Sequence, residues 1–103
     1  MNELSKREEV ASLYEIYKSL LSDSQKEVIE DYYIYDLSLA EIASNRSSSR
    51  AAVEDALKKG EKKLRQYEEK LSIFSTRKAL KAKLEEAKKN NDYKDLEDYI
   101  NGI

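Results

Sequence analysis

The side chains that could carry chemistry cluster in one basic segment, residues 46–65, which holds seven Lys or Arg and three Asp or Glu. The 45 residues before it hold four basic and ten acidic side chains, whereas the whole 103-residue chain has a net charge of −2. Clustered cationic groups can neutralise phosphates, the main source of affinity for nucleic acids. The alternative is a solvated helix face that balances the acidic N-terminal part.

The chain has few side chains suited to catalysis, because it contains no His and no Cys. His is the commonest general base and metal ligand, and Cys supplies thiolate ligands and disulfides. The carboxylates of Glu27, Glu30 and Asp31 share one helix face, which is more typical of a solvated surface than of a metal or acid/base site. We therefore expect a protein that is not an enzyme and that has no cofactor and no metal.

The location of the protein is predicted from two absences in the sequence. It has no run of about 18 apolar residues, the length that a membrane span requires. Its first ten residues, MNELSKREEV, are polar and lack the apolar stretch of a signal peptide. We expect a cytoplasmic protein without membrane insertion.

The elements that position the basic segment are predicted to be helices, because the apolar residues recur with helical spacing and no strand pattern occurs. A first helix is predicted over residues 3–21. Capping boxes at Ser22–Gln25 and Ser38–Glu41 open the next two helices. After the long helix described below, a further helix is predicted over 76–89 and a short last helix ends near Gly102. The predicted core consists of Leu13, Tyr17, Leu20, Val28, Ile29, Tyr32, Leu39, Ile42, Val53 and Leu57.

A long helix is predicted over residues 50–72. Its apolar stripe repeats every seven residues, as in a coiled coil, and Gly60 on the stripe indicates a close helix crossing. We interpret the stripe as a seam for a second copy of the chain or for a partner helix. The alternative is that helices after residue 75 fold back over it and leave a monomer. The seam residues are Leu57, Leu64, Tyr67, Leu71 and Phe74.

Residues 38–57 have the layout of a helix-turn-helix, in which a short capped helix, a turn and a second capped helix follow one another. Ala43 is small where the two helices must approach, and Ser49 can cap the second helix. In such a unit the first turns of the second helix face a DNA major groove. A plain helical corner with no binding role would show the same pattern. The candidate nucleic-acid-binding residues are Arg46, Ser49, Arg50, Lys58, Lys62 and Arg65.

Three stretches of the sequence resemble a known family. They are LYEIYKSLLSDSQKEVIEDYYIYDLSLAEIA (13–43), SRAAVEDALKKGEK (49–62) and YEEKL (67–71). Together they resemble the YlxM-like family of small bacterial helix-turn-helix proteins over about two thirds of the chain. The resemblance implies an all-α bundle, similar to the fourth region of sigma factors and winged-helix-like. It implies a helix-turn-helix domain over 1–74 that contains the long helix. Beyond residue 74 the resemblance gives no guidance, and the helical spacing there predicts a C-terminal helical extension over 75–103.

The chain departs from the family pattern at the turn and at the start of the second helix. Arg46 and Ser48 replace apolar residues, Ala51 lacks a side chain suited to base contact, and Glu54 stands where the family has an aromatic residue. Glu54 and Asp55 would also repel phosphates. We therefore expect any contact with DNA to be weaker here than in the family.

The resemblance also carries an expectation of function. Genes of this family lie beside those of the signal recognition particle GTPase and its receptor. This implies a regulatory or accessory role in the signal recognition particle pathway, by contact with the particle's protein or RNA. Two alternatives stay open, namely a DNA-binding transcriptional regulator and a helical adaptor that binds only protein.

Overall fold

Every regular element in the described part of the chain is helical. The computed structural model describes residues 3–103, with side chains from residue 5 onward. No strand occurs in this range, which confirms the predicted all-α class. None of its helices is both long enough and apolar enough to cross a membrane. The helices are α1 (Glu3–Tyr17), α2 (Asp23–Ile29), α3 (Leu39–Asn45), α4 (Arg50–Leu71), α5 (Ile73–Asn90) and α6 (Lys94–Gly102).

The chain divides into two compact units, one ending at Leu71 and the other spanning Ser72–Ile103. The first unit contains α1 to α4, and the second contains α5 and α6. Ser72 separates α4 from α5 with a left-handed backbone, φ 54°. Since a right-handed helix cannot continue through such a residue, α4 ends there although the sequence offers neither Pro nor Gly.

Capping boxes start α2 and α3, as the sequence predicts. The Ser22 hydroxyl accepts a hydrogen bond from the Gln25 backbone N–H, and the Gln25 side chain accepts one from the Ser22 N–H, both at 3.2 Å. Ser38 and Glu41 repeat the arrangement at 3.1 and 3.0 Å. Hydrogen bonds from the Ser38 backbone and side chain favour the charged carboxylate, so they lower the pKa of Glu41.

The end of α1 differs from the prediction in one important detail. A 3₁₀ turn, Lys18–Leu20, follows the helix and winds more tightly than an α-helix. The change of winding shifts the inward-facing position by one residue. Leu20 is therefore 49% exposed, and Leu21 is buried at 7%. The prediction that Leu20 belongs to the core is wrong for this reason.

The end of α2 is irregular. Five residues, Glu30–Ile34, form a π-helical segment before Asp36, whose φ of 58° turns the chain. The Arg7 guanidinium binds this bend, donating to the Tyr32 carbonyl at 2.7 Å and to Asp36 Oδ1 at 3.0 Å. It also lies within about 5 Å of the ring centroids of Tyr32 and Tyr33. Arg7 thus fixes the position of the segment that precedes the helix-turn-helix.

The long helix α4 is the element on which α1, α2 and α3 all pack. Gly60 lies against α2, where an added Cβ would stand only 3.0 Å from Cγ1 of Ile29. The close crossing predicted from this glycine is confirmed. Two tyrosine hydroxyls also bind the helix, since Tyr17 donates to Glu68 at 2.7 Å and Tyr33 donates to Glu61.

The core of the first unit is formed by the inward faces of all four helices. Most of the predicted core residues are buried there, but Tyr32 and Leu39 are only half-buried, at the edge of the packing. The buried side chains are Val10, Leu13, Tyr14, Tyr17, Leu21, Val28, Ile29, Ile42, Ala43, Val53, Leu57 and Leu64.

The second unit is an antiparallel helical hairpin. Asn91, with φ 52°, ends α5, and Asp92 donates its backbone N–H to the Ala87 carbonyl at 3.2 Å. This is the Schellman arrangement that Asn favours. Lys83 then lies 5.3 Å from the ring centroid of Tyr99, which joins the two helices across the turn.

Candidate nucleic-acid interface

The turn between α3 and α4 has a defined geometry. Ser47 takes a left-handed conformation with φ 51°, and the N–H of Ser48 reaches the Ala43 carbonyl at 2.9 Å. These features, together with a Ser47–Ser44 backbone bond at 3.3 Å, form a Schellman motif that stops α3. The chain then re-enters a helix at Arg50. Residues 38–57 therefore form the helix-turn-helix that the sequence predicts.

Ser49 is the N-cap of α4, as predicted. Its hydroxyl accepts a hydrogen bond from the Ala52 backbone N–H at 3.0 Å, and its carbonyl accepts one from Val53 at 3.1 Å. The first bond satisfies one of the free N–H groups at the helix start. Ser49 thus has a structural role that is sufficient to explain its presence at this position.

Arg46 is tied to the protein itself. Its guanidinium donates to Glu27 Oε2 at 2.5 Å and to Ser24 Oγ at 3.2 Å, and its side chain is 26% exposed. These bonds join the turn to α2. Among the candidate cations it is therefore the least available to an external phosphate.

The candidate cations on α4 fall into two groups. Lys58 pairs with Glu54 one turn earlier at 3.3 Å, and Arg65 pairs with Glu9 of α1 at 2.5 Å. Arg50 and Lys62 are exposed, and neither has an ion pair with a residue in the described range 3–103. The free positive charge of the predicted site is concentrated at these two positions.

The acidic residues that we expect to repel phosphates are both neutralised locally. Glu54 pairs with Lys58, and Asp55 pairs with Lys59 at 3.0 Å, each with a spacing of four residues. Such pairs on a helix surface contribute about 0.3–0.5 kcal/mol each. They reduce the repulsion, but they also occupy the lysines involved.

An open cleft lies beside the turn, and no sequence pattern predicts it. It has a volume of about 790 Å³ and lies between the end of α1, α2 and Arg46. Within it, the buried Tyr14 hydroxyl donates to Glu30 Oε2 at 2.6 Å. Burial, and then this bond, raise the pKa of Tyr14 above its usual range. Burial also raises the pKa of Asp31, against the opposing effect of the Arg46 charge.

The carboxylates that line this cleft are therefore not all freely solvated. Glu27 binds Arg46 and Glu30 binds Tyr14, so each has a partner from another element. The local spacing of Glu27 and Glu30 could not predict these bonds. Arg46 lies 19 residues from Glu27, and Tyr14 lies 16 residues from Glu30. Within residues 3–103 no group of three or more acidic side chains could hold a metal ion.

The predicted partner seam does not form one continuous stripe. Leu57 and Leu64 are buried inside the first unit, at 7% and 1% exposure. Tyr67 is half-buried and donates to the Leu20 carbonyl at 3.0 Å. Leu71 is 52% exposed, and Phe74 lies beyond the break at Ser72, on α5. Leu57 and Leu64 are thus core residues that contact this chain's own helices.

Comparison with known proteins agrees with this geometry. A family model described as "Putative helix-turn-helix protein, YlxM / p13 like" matches residues 4–101. The chain belongs to this family. A UPF0122 protein of Fusobacterium nucleatum is 42% identical over 95 residues, which cover 92% of each chain. A UPF0122 protein of Lactococcus lactis is 49% identical over 73 residues, 71% of this chain and 66% of that one.

Membership of the YlxM/p13-like family supports a regulatory helix-turn-helix protein as the general role. The match extends through α5 and most of α6, so the C-terminal hairpin is part of the family pattern. The match to the Fusobacterium protein covers 92% of this chain as well.

Proposed function

We propose that this chain is a non-catalytic, regulatory or accessory protein of the signal recognition particle pathway that binds the particle's RNA through phosphates. The observation that carries the proposal is the outward face of α4, on which Lys58, Lys62 and Arg65 follow at intervals of four and three residues. Such residues lie on one side of a helix. Arg50 adds a further exposed cation at the helix start.

The ion pairs on this face do not prevent such binding. Exposed pairs contribute about 0–1 kcal/mol, so Lys58 and Arg65 can exchange their carboxylate partners for phosphates at little cost. Arg46 is different, because it is mostly covered and makes bonds to two residues of α2. We propose that Arg46 and Ser49 shape the turn, whereas Arg50, Lys58, Lys62 and Arg65 contact phosphates.

We propose that this contact has little sequence specificity. Reading bases in a groove needs donors or acceptors that reach base edges. Ala51 has none, and the Glu54 carboxylate is engaged by Lys58. The choice of the particle's RNA rests on the family resemblance, in which the genes accompany those of the particle's GTPase. A DNA-binding regulator is the competing function, and it requires tight selection of one duplex.

The test is a titration of labelled signal recognition particle RNA, and of duplex DNA of equal length, over a series of salt concentrations. The double variant Lys58→Ala/Lys62→Ala should bind more weakly, and its salt slope should fall by about one unit for each lost phosphate contact. The matched control is Lys78→Ala/Lys89→Ala, which removes the same charge from exposed positions of α5 and should bind as the wild type does.

Three results would contradict the proposal. They are a complex insensitive to salt, an equal loss in the α5 control, and strong preference for one short DNA duplex. A helical adaptor that binds only protein is a second candidate, favoured by the ten acidic residues among the first 45. Capture of the particle's protein from lysate separates the two, because nuclease treatment abolishes an RNA-mediated contact and leaves an adaptor's contact intact.

A further inference from the structure

The α5–α6 hairpin has several exposed large apolar side chains. Ala87 is the one side chain of residues 72–103 that is buried. Five of its larger apolar residues keep between 37% and 67% of their surface exposed, whereas Phe74, Leu80, Leu96 and Tyr99 are half-buried. A unit of fewer than about 40 residues usually needs a disulfide, a metal ion or association with another surface to be stable. The exposed set is Ile73, Leu84, Tyr93, Ile100 and Ile103.

The exposed residues of the two helices lie on the same side of the hairpin. With 3.6 residues per turn, Leu84 lies about 60° around α5 from the buried Ala87. Ile100 lies about 100° around α6 from Tyr99, which packs against Lys83. The two helices are antiparallel. A rotation of the same sense about each helix, seen along its own chain direction, therefore places Leu84 and Ile100 on the same side of the hairpin. We call this face, formed by Ile73, Leu84, Tyr93 and Ile100, the open face.

The charges that border the open face differ between the helices. α5 carries six basic and two acidic side chains, whereas α6 carries one basic and three acidic. By the same rotation per residue, Arg77, Lys81 and Lys88 lie along the outer edge of the open face on α5. Glu97 is the one acidic side chain of α6 on that edge, since Asp95 and Asp98 lie on the other side of the helix. The hairpin is therefore complementary to itself when α5 of one copy faces α6 of another.

We propose that a second copy of this chain docks on the open face and forms a two-fold symmetric four-helix bundle. A two-fold axis parallel to the helices places each α5 opposite the α6 of the other copy, in antiparallel orientation. Every helix then has antiparallel neighbours, as in common four-helix bundles. In this arrangement the basic edge of α5 in one copy lies against Glu97 on α6 of the other copy. The contact occurs twice, at two places related by the axis. This proposal is independent of the RNA proposal and uses a different surface from the seam predicted on α4.

The test is the molar mass of the purified full-length chain, measured by sedimentation equilibrium from low to high micromolar concentration. The wild type should have twice the mass of one chain. Leu84→Glu should weaken association by at least about tenfold, because it places a charge at the centre of the open face. Leu20→Glu is the matched control, since Leu20 is 49% exposed but lies outside the hairpin, and it should leave the dimer intact.

Two further measurements keep the result decisive. Circular dichroism should show unchanged helix content in Leu84→Glu; if helix is lost, Ile100→Glu, at a position 49% exposed, replaces it. A carbodiimide cross-link in a mixture of ¹⁵N-labelled and unlabelled chains should join Lys88 of one copy to Glu97 of the other, because the two lie at nearly the same height along the axis.

The proposal is overturned by a monomer at all concentrations, which would leave the open face to another protein. It is equally overturned if Leu71→Glu dissociates the dimer while Leu84→Glu does not, since the interface would then lie at the end of α4.

Discussion

Replacing Gly60 by Ala tests the packing of α4 on α2 more directly than any other single change. Helix propensity alone favours the replacement, because Ala is about 1 kcal/mol better than Gly in a helix interior. The structure opposes it. The new Cβ would stand 3.0 Å from Cγ1 and 3.1 Å from Cδ1 of Ile29, a side chain with no exposed surface.

The two effects can be compared in magnitude. Inserting a methyl group into a well-packed core costs about 1–3 kcal/mol, because the neighbours must move or leave their preferred rotamers. Ile29 is enclosed, so it cannot move away cheaply. After subtraction of the gain in propensity, we expect Gly60→Ala to lower the free energy of unfolding by about 0–2 kcal/mol. A loss of about 1 kcal/mol corresponds to a Tm lower by about 4–8 °C.

The assay is urea unfolding followed by circular dichroism, with two controls. Gly102→Ala adds a Cβ that meets nothing within 4 Å, so this variant should be as stable as the wild type or slightly more stable. Ile29→Val removes the Cδ1 atom, so adding Gly60→Ala in that background should cost less than in the wild type, with a coupling of about 0.5 kcal/mol or more. A variant Gly60→Ala that is stabilised by about 1 kcal/mol would refute the reasoning.

Two further predictions concern local structure. Leu21→Ala should cost about 2–5 kcal/mol and Leu20→Ala less than about 1, because only the first side chain is buried, and urea unfolding measures both. Ser38→Ala should cost about 0.5–2 kcal/mol through loss of the helix cap. Because Ser38 lowers the pKa of Glu41, the stabilisation from that charge is present at neutral pH and lost as the pH falls below about 4. Unfolding of Ser38→Ala should therefore depend less on pH in the acidic range than that of the wild type.

The features predicted correctly from the sequence are those determined by residues close together in the chain. The capping boxes at Ser22 and Ser38 and the cap at Ser49 each depend on three or four consecutive residues. Gly60 is a partial exception, because its contact with Ile29 is distant in sequence. A glycine within a helix destabilises the helix relative to Ala. Its presence on the apolar stripe therefore indicates that another helix packs closely at that position, which made the crossing predictable.

The features that the sequence did not indicate depend on partners far apart in the chain or on small changes of helical winding. The ion pair between Arg65 and Glu9 joins residues 56 positions apart. Leu20 is exposed because the 3₁₀ turn after α1 changes the direction of its side chain, although the apolar spacing in the sequence continues through it. The end of α4 at Leu71 lies one residue from the predicted end, but no Pro or Gly marks the change of direction at Ser72, so the predicted seam included Phe74.

The core residues and the proposed phosphate contacts lie on different faces of α4, and this separation makes the proposed function testable by mutation. Val53, Leu57, Gly60 and Leu64 face inward and form the core, whereas the proposed phosphate contacts face outward. Replacement of an exposed Lys leaves every buried contact in place, so its effect on stability should stay within about 0.5 kcal/mol. A loss of RNA affinity in Lys58→Ala/Lys62→Ala at unchanged stability would therefore report on the outward face alone. An Arg46 variant cannot be interpreted in this way, because the bonds of Arg46 to Glu27 and Ser24 hold the turn against α2. A loss of RNA binding in such a variant could come either from a lost phosphate contact or from a displaced helix.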